Sequence, residues 1–236
     1  MEQKKLVSVI TAAFNSACLI EDTIRSVQAQ TYKDWEMLIV DDGSEDNTSQ
    51  IVEKFAKTDG RICLIKHPRN MGPAISRNTA IEAAKGRYIA FLDSDDLWLP
   101  NKLAEQMDFM GKHECALSCT AYKKIDENGE IIGSLMKVPA KTNYQKLLFS
   151  NVIGNLTALY DVEKLGKVYL PLVKHEDYGL WLKILKMGYE AYGLNECLAL
   201  YRIRSNSVSR NKLRAASYQW RVYREIEKLT LDKILS

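Results

Sequence analysis

Short apolar runs alternate with segments whose apolar positions recur at helical spacing through the first hundred or so residues of the chain. Residues 6–12 read as a strand and residues 20–30 as a helix. Residues 35–40 read as a second strand, stopped by Asp41-Asp42-Gly43-Ser44. A helix over about 47–57 carries Ile51, Val52 and Phe55 on one face, and residues 62–66 read as a third strand. Gly72-Pro73 announces the next helix, because proline suits the first helical turn, and Lys85-Gly86 stops it. A fourth strand over 88–92 again ends in acids, at Asp93-Ser94-Asp95-Asp96. Strands and helices alternating at this spacing predict right-handed crossovers and a mostly parallel sheet covered on both faces.

After Pro100 the pattern changes. A helix over about 100–110 leads to a strand at 116–125, an Asp126-Glu127-Asn128-Gly129 turn and a strand at 131–136, which together signal a hairpin rather than another crossover. Residues 144–149 and 178–187 read as helices, 198–203 as a strand, and the chain from Asn211 onward as one long helix. No repeat, low-complexity tract or linker interrupts it. The expected fold class is therefore α/β, with a Rossmann-like, mostly parallel central sheet, a mixed C-terminal half and a C-terminal basic helix.

Composition adds enough apolar side chain for a full core, at 46% of 236 residues, and rules out disorder. No run reaches the ~18 apolar residues that a membrane-spanning helix needs, and residues 6–14 fit a first core strand better than a signal peptide. The net charge of +3 conceals an asymmetry: residues 1–201 carry 24 basic and 27 acidic side chains, residues 202–236 carry 9 and 3. The five cysteines, Cys18, Cys63, Cys115, Cys119 and Cys197, lack paired spacing and read as reduced thiols of a cytosolic protein. His113, Cys115 and Cys119 share a face if they lie in one strand, but His113 and Cys119 are then about 20 Å apart, too far to ligate one zinc ion.

The acids at the strand ends are the informative feature. Ligands of an open parallel sheet bind at the carboxyl ends of its strands, and an acidic strand end can hold a phosphate only through a cation. No GxGxxG follows the first strand and no GxxxxGK[ST] occurs, so neither a dinucleotide dehydrogenase nor a P-loop NTPase is supported. Asp93 and Asp95, two apart in an extended segment, project to one side and could hold Mg²⁺ or Mn²⁺. Equally, Ser94, Asp95 and Asp96 could simply turn the chain and cap the next helix. Asp42 could accept a hydrogen bond from a base beside Phe14; taken alone, a plain strand-to-helix turn explains the same residues.

As a set, several segments resemble the family 2 glycosyltransferases, inverting enzymes with the GT-A fold that use nucleotide sugars. They are Val7-Ser8-Val9-Ile10 to Phe14-Asn15, Val40-Asp41-Asp42-Gly43-Ser44, Asn70-Met71-Gly72 to Ser76-Arg77-Asn78, Gly86 to Asp96, Glu176-Asp177-Tyr178 to Trp181, and Tyr201-Arg202 with Ser205, Ser207 and Ser209. The resemblance covers about residues 6–209 and points to enzymes of bacterial surface-polysaccharide synthesis. It implies that Ala12, Phe14 and the Asp42 carboxylate hold the nucleobase and ribose, and that Arg77 lies near the base or the diphosphate. It further implies that Asp93 and Ser94 contact the ribose and the metal shell, with Asp95 binding the divalent ion. Asp177 is then the general base, with Glu176 and Trp181 shaping the acceptor site. The expected division is a GT-A domain over 1–210, nucleotide-sugar-binding to about 100 and acceptor-binding beyond, followed by a helical extension over 211–236.

The chemistry requires these residue types. Displacing a nucleoside diphosphate builds negative charge on the leaving group, which a cation offsets, and the attacking hydroxyl must lose a proton to a base on the opposite face of the sugar. As acids of a first helical turn, Glu176 and Asp177 also suit the helix dipole. One departure stands out: Arg204 occupies a position where many members have a metal-ligating His, and arginine cannot ligate a cation.

From Arg202 to Arg224 there are seven basic residues and no acid, with Leu213, Trp220 and Tyr223 interleaved. This run fits anionic lipid headgroups, or a solvated helix packed on the domain or on a second subunit as a homodimer; no nucleic-acid motif accompanies it. The resulting expectation is a metal-dependent glycosyltransferase, cytoplasmic or peripheral on the inner membrane face, using Mn²⁺ or Mg²⁺. Its partners are a nucleotide-sugar donor, best a UDP-sugar, and a saccharide or lipid-linked saccharide acceptor. A sugar-phosphate nucleotidyltransferase, which calls for a Gly-rich basic loop absent here, and a non-catalytic nucleotide-sugar or polyanion-binding module are the alternatives.

Overall fold

Buried apolar residues divide into two sets on opposite faces of one sheet in the computed structural model, which describes residues 5–173 and 175–203. The parallel half runs β1 (Val7–Ala13), α1 (Ile20–Gln28), β2 (Trp35–Asp41), α2 (Thr48–Thr58), β3 (Ile62–Lys66), α3 (Pro73–Ala83) and β4 (Tyr88–Phe91). The mixed half runs β5 (Leu97–Trp98), α4 (Lys102–His113), β6 (Leu117–Ile125), β7 (Ile131–Met136), β8 (Lys141–Thr142), α5 (Tyr144–Phe149), a 3₁₀ turn at Asn155–Thr157, β9 (Leu159–Asp161), α6 (Val162–Leu165), α7 (Glu176–Lys186) and β10 (Ala191–Arg202). The expected helix beyond Asn211, Arg204, the three motif serines and nearly all of the basic run lie outside the described residues.

One sheet passes through both halves, in the order β3-β2-β1-β4-β9-β6-β10-β5, with β7 on β6 and β8 on β10. Strands β1 to β4 pair in parallel, whereas β9 is antiparallel to both β4 and β6. Alternation along the strands separates the two cores. Ile10, Leu38, Val40, Ile89 and Phe91 face α3 and α7, while Val9, Met37, Ile39 and Ala90 face α1, α2 and α4. Phe91 meets Trp181 of α7 edge to face at 5.5 Å between ring centres, a pair that adds about 1 kcal/mol beyond its buried area.

The parallel half matches the expected elements to within a residue or two. Elsewhere four differences have physical causes. β10 begins at Ala191 rather than 198, because Asn195-Glu196 interrupts the apolar run and the pairing with β6 shifts register there. β5 and β9 are two and three residues long, too short to show a period. α7 starts at Glu176, two residues before the apolar period begins, with Glu176 and Asp177 in its first turn as the dipole reading of these acids has it. His113 is the last residue of α4, so it shares no strand face with Cys115 and Cys119.

Candidate active site

The strand order turns at β1: β2 and β3 lie to one side of it and β4 to the other. The crevice at such a switch point is where open α/β sheets take ligands. Here the chain leaves β1 and β4 side by side, and Ser16 Oγ and Ser94 Oγ lie 2.8 Å apart across the gap. Thr48 Oγ1 accepts from Ser16 N at 2.8 Å, and Thr23 Oγ1 donates to Asp96 O at 2.9 Å, which fixes both loops. Between them opens a cavity of about 380 Å³ whose lining includes Ala12, Phe14, Asp42, Arg77, Asp93, Ser94 and Asp95. All the residues expected around the nucleotide and metal therefore meet in one place. Phe14 is 45% exposed at its rim, a free apolar face beside the crevice.

Asp42 lines this cavity, but its carboxylate is largely engaged within the protein. Its oxygens accept from Met71 N at 3.0 Å and Gly72 N at 2.8 Å, and His67 Nδ1 lies 2.8 Å from Oδ1. Burial pushes this carboxyl up, and the hydrogen bonds from His67, Met71, Ser76 and Gly72 outweigh it, holding the group below its ordinary value. Asp42 thus pins the 70–72 loop at the start of α3. Its neighbour Gly43 has φ +74°, and a Cβ there would sit 2.6 Å from the Arg69 carbonyl carbon, so only glycine fits.

Arg77, one turn into α3, is the hub of the site. Its Nη2 donates to Asp93 Oδ1 at 2.5 Å and its Nη1 to Glu176 Oε1 at 2.5 Å, joining the end of β4 to the start of α7. Its pKa is raised: burial alone would lower it, and Asp93 and Glu176 more than offset that. Asn155 Nδ2 adds a third link, donating to Asp93 Oδ1 at 3.0 Å.

Asp93 to Asp96 form a tight turn, with Asp96 N donating to Asp93 O at 3.1 Å, rather than the extended segment the sequence suggested. The shared orientation of Asp93 and Asp95 toward the cavity comes from that turn and not from strand alternation. Arg202, the last residue of β10, holds the turn: its N donates to Asp96 Oδ1 at 2.8 Å and its Nε to Asp95 O at 2.9 Å. Burial, and then Asp93 and Asp95, push the Asp96 carboxyl well up. Among the described residues no three His, Cys, Asp or Glu side chains are grouped to hold a metal. Two hard carboxylates in an acid-rich turn nonetheless fit Mg²⁺ or Mn²⁺, which commonly take one or two protein carboxylates and fill the rest of their shell with water and substrate phosphate. Arg77 Nε, Asp96 Oδ2 and Asn155 Oδ1 are buried here without partners among the described residues, leaving polar capacity for a ligand.

Asp177 opens into a second, larger cavity of about 710 Å³, which Asp93 and Tyr201 also line. The two residues common to both cavities make the junction between them. Burial and then the Glu176 carboxylate raise the Asp177 carboxyl above its ordinary value, and Arg77 works in the opposite direction. A carboxylate with a raised pKa that lines a cavity is a stronger base than a solvated one.

Glu176 and Trp181 do not line this larger cavity. Glu176 is committed to Arg77, and Trp181, one helical turn beyond Asp177, is fully buried against Phe91 beneath it. Trp181 therefore supports the helix start from the core. Ser16, Asn155 and a lining role for Tyr201 and Arg202 escaped the sequence reading. Tyr201-Arg202 stood in a recognisable segment, whereas Asn155 sits in a three-residue turn with no signal at all.

The family model for "Glycosyl transferase family 2" matches residues 8–165. The chain belongs to glycosyl transferase family 2. Among its relatives are the putative teichuronic acid biosynthesis glycosyltransferase TuaG of Bacillus subtilis, 45% identical over 98% of this chain and 92% of the relative. Another is the UDP-Glc:alpha-D-GlcNAc-diphosphoundecaprenol beta-1,3-glucosyltransferase WfgD of Escherichia coli, 40% identical over 97% of this chain and 89% of the relative. Like those family members, the protein is a glycosyltransferase. Its fold is of the GT-A type: S. aureus TarS in complex with UDP-GlcNAc superposes with a TM-score of 0.72 at 24% identity, over 85% of this chain and 59% of that one. The mannosyltransferase PcManGT from Pyrobaculum calidifontis, in complex with GDP-Man and Mn²⁺, gives 0.73 at 21% identity, over 95% and 64%. The chain thus spans about three fifths of the length of these solved structures.

Proposed function

We propose that this glycosyltransferase moves a sugar from a UDP-sugar to a hydroxyl of a lipid-linked saccharide, inverting the anomeric centre, with Asp177 as general base. The observation that carries this is the junction at Asp93, which lines both the nucleotide-sized cavity at the sheet's switch point and the larger cavity holding Asp177. A donor seated in the first would present its anomeric carbon toward the second, where an acceptor hydroxyl lies on the opposite face. WfgD, 40% identical over nearly the whole chain, is named for both a UDP-sugar donor and a diphosphoundecaprenol-linked acceptor.

In this assignment Ala12, Phe14 and Asp42 border the base and ribose, with Asp42 acting mainly through the 70–72 loop that it holds. Asp93, Ser94 and Asp95 face the ribose and diphosphate, and Asp93 with Asp95 would hold a divalent cation. That cation, when bound, offsets the charge that builds on the departing diphosphate. Asp177 accepts the proton of the attacking hydroxyl, its basicity enhanced by burial and by Glu176. Arg77 keeps Glu176 and Asp93 at fixed spacing, and so fixes the start of α7 relative to the donor.

The donor part then comprises about residues 1–100 and the acceptor part about 101–210. Among the described residues no helix is long and apolar enough to cross a membrane. A lipid-linked acceptor lies at a membrane surface, and the basic run over 202–224 would supply peripheral contact with anionic headgroups there. A donor screen, following nucleoside diphosphate release with free and lipid-linked acceptors, tests the assignment. Acceptor-dependent release from a UDP-sugar is expected, and sugar-1-phosphate-dependent pyrophosphate release would instead show a nucleotidyltransferase.

A further inference from the structure

One wall of the Asp177 cavity is a single face of the β6–β7 hairpin. Tyr122 pairs with Met136 and Lys124 with Ile132 across the two strands, and directly opposed residues share a face. All four line the cavity, as does Lys137, the next residue along the chain. Three of these five side chains are apolar or aromatic and two are cationic, Lys137 joining the hairpin face from just beyond the end of β7. Ile132 and Met136 are 36% and 37% exposed and line the same cavity, so together they present a continuous apolar strip to it rather than scattered surface side chains. Neither lysine joins an ion pair among the described residues.

A neutral sugar chain explains neither feature. Saccharide hydroxyls are met by carboxylates, amides and aromatic faces, and gain little from two ammonium groups or from Ile and Met side chains. Lysine is a mobile point charge suited to phosphate, and an adjacent strip of flexible and branched apolar side chains suits a hydrocarbon chain. The cavity places acids, Asp93 and Asp177, and lysines, Lys124 and Lys137, in one lining. Such a lining suits a ligand with a neutral hydroxyl-bearing part, an anionic part and an apolar part. A sugar joined through a diphosphate to an isoprenoid chain has all three.

We propose that the β6–β7 hairpin face binds the diphosphate and the first isoprenoid units of a lipid-linked acceptor, Lys124 and Lys137 taking the phosphates and Ile132 and Met136 the chain. This rests on the assignment of the Asp177 cavity to the acceptor, and it adds which part of the acceptor is recognised and by which residues. It makes the hairpin a specificity element: the same protein should discriminate a lipid diphosphate from an unlinked saccharide before the reacting hydroxyl is reached.

The test uses the full chain saturated with UDP and Mg²⁺, which fill the donor cavity. Binding of farnesyl diphosphate, farnesol and inorganic pyrophosphate is measured by titration calorimetry. Farnesyl diphosphate is expected to bind at least about tenfold more tightly than either of the others, since each of them lacks one half of the recognised group. The Lys124→Glu, Lys137→Glu double variant should weaken it by about tenfold or more, and Ile132→Asn by severalfold, with circular dichroism confirming the fold. Lys137→Glu alone, at an exposed position, serves if the double variant does not fold. Equal binding of farnesyl diphosphate by wild type and the lysine variants overturns the proposal. So does pyrophosphate binding as tightly as farnesyl diphosphate, which would show an anion site that does not recognise the hydrocarbon. The donor screen separates this from the wider assignment: loss of all acceptor-dependent release removes that assignment, whereas release that persists with an unchanged acceptor KM in the lysine variants removes only the hairpin's role.

Discussion

Arg77 Nη1 donates to Glu176 Oε1 across 2.5 Å, linking residues 99 positions apart in the chain. The same guanidinium holds Asp93 through Nη2, so α3 ties the end of β4 to the helix that carries Asp177. Arginine suits this place because its planar fork can serve two carboxylates at once.

Replacing Arg77 by Met leaves two carboxylates without their partner in a mostly buried setting. Stability should fall by about 3 kcal/mol or more and transfer should be largely lost. Arg77→Lys keeps the charge but cannot span both acids, so it should recover part of the stability and little of the rate. Urea denaturation with initial-rate kinetics checks this, and full activity in Arg77→Lys would contradict the bridging role.

Asp177 must be ionised to accept a proton, and its carboxyl is raised by burial and then by Glu176. Transfer should therefore decline on acidification through a pH above an aspartate's ordinary value. Glu176→Gln removes one raising influence and leaves Arg77 acting on Asp177, so the acid limb of kcat/KM should move to lower pH even as the maximum rate drops. A limb that stays in place would assign it to another group.

With Asp93 and Asp95 as the cation's protein ligands, EDTA should abolish transfer, and added Mn²⁺ or Mg²⁺ should restore it. Asp95→Ala should raise the metal concentration needed for half-maximal rate by at least about tenfold. Full turnover in EDTA would refute the metal assignment.

Lys102 is fully buried at the start of α4, its Nζ donating to Gln106 Oε1 at 2.7 Å and lying 4.1 Å from the centre of the Trp98 ring. Gln106 in turn donates to Ser118 Oγ and to Thr157 O, which anchors the turn bearing Asn155. Burial pushes the Lys102 ammonium down from 10.5 to about 7. Between those two values the unfolded chain holds a proton that the folded chain lacks, so this group makes stability rise with pH there, and its effect is flat below about 7. Lys102→Met removes that slope. Relative to wild type, the variant should lose up to about 1.4 kcal/mol per pH unit above neutrality in urea denaturation; parallel curves would show that the ammonium is not desolvated.

Much of this site could be read from the chain because it sits where regular elements end. Asp42 and Asp93 follow apolar runs of strand length, and Gly72-Pro73 marks the start of α3, where Gly72 indeed adopts φ +94°. What escaped depends on irregular backbone. Asn155 reaches Asp93 from a 3₁₀ turn without periodicity, and the Asp93–Asp96 turn replaces the alternation expected of a strand. The resemblance implies that Trp181 shapes the acceptor site; only the packing of α7 on Phe91 shows that its ring points into the core. The hairpin pairing that places Lys124 beside Ile132 includes a register shift, which no single-strand pattern reveals.

In the proposed mechanism Asp177 removes the acceptor's proton while the donor is held elsewhere. Asp177→Asn keeps the size of the side chain and removes its basicity, so UDP-sugar binding by titration calorimetry should stay within about twofold of wild type while acceptor-dependent nucleoside diphosphate release falls by at least about a hundredfold. Transfer undiminished in Asp177→Asn would show that another group takes the proton.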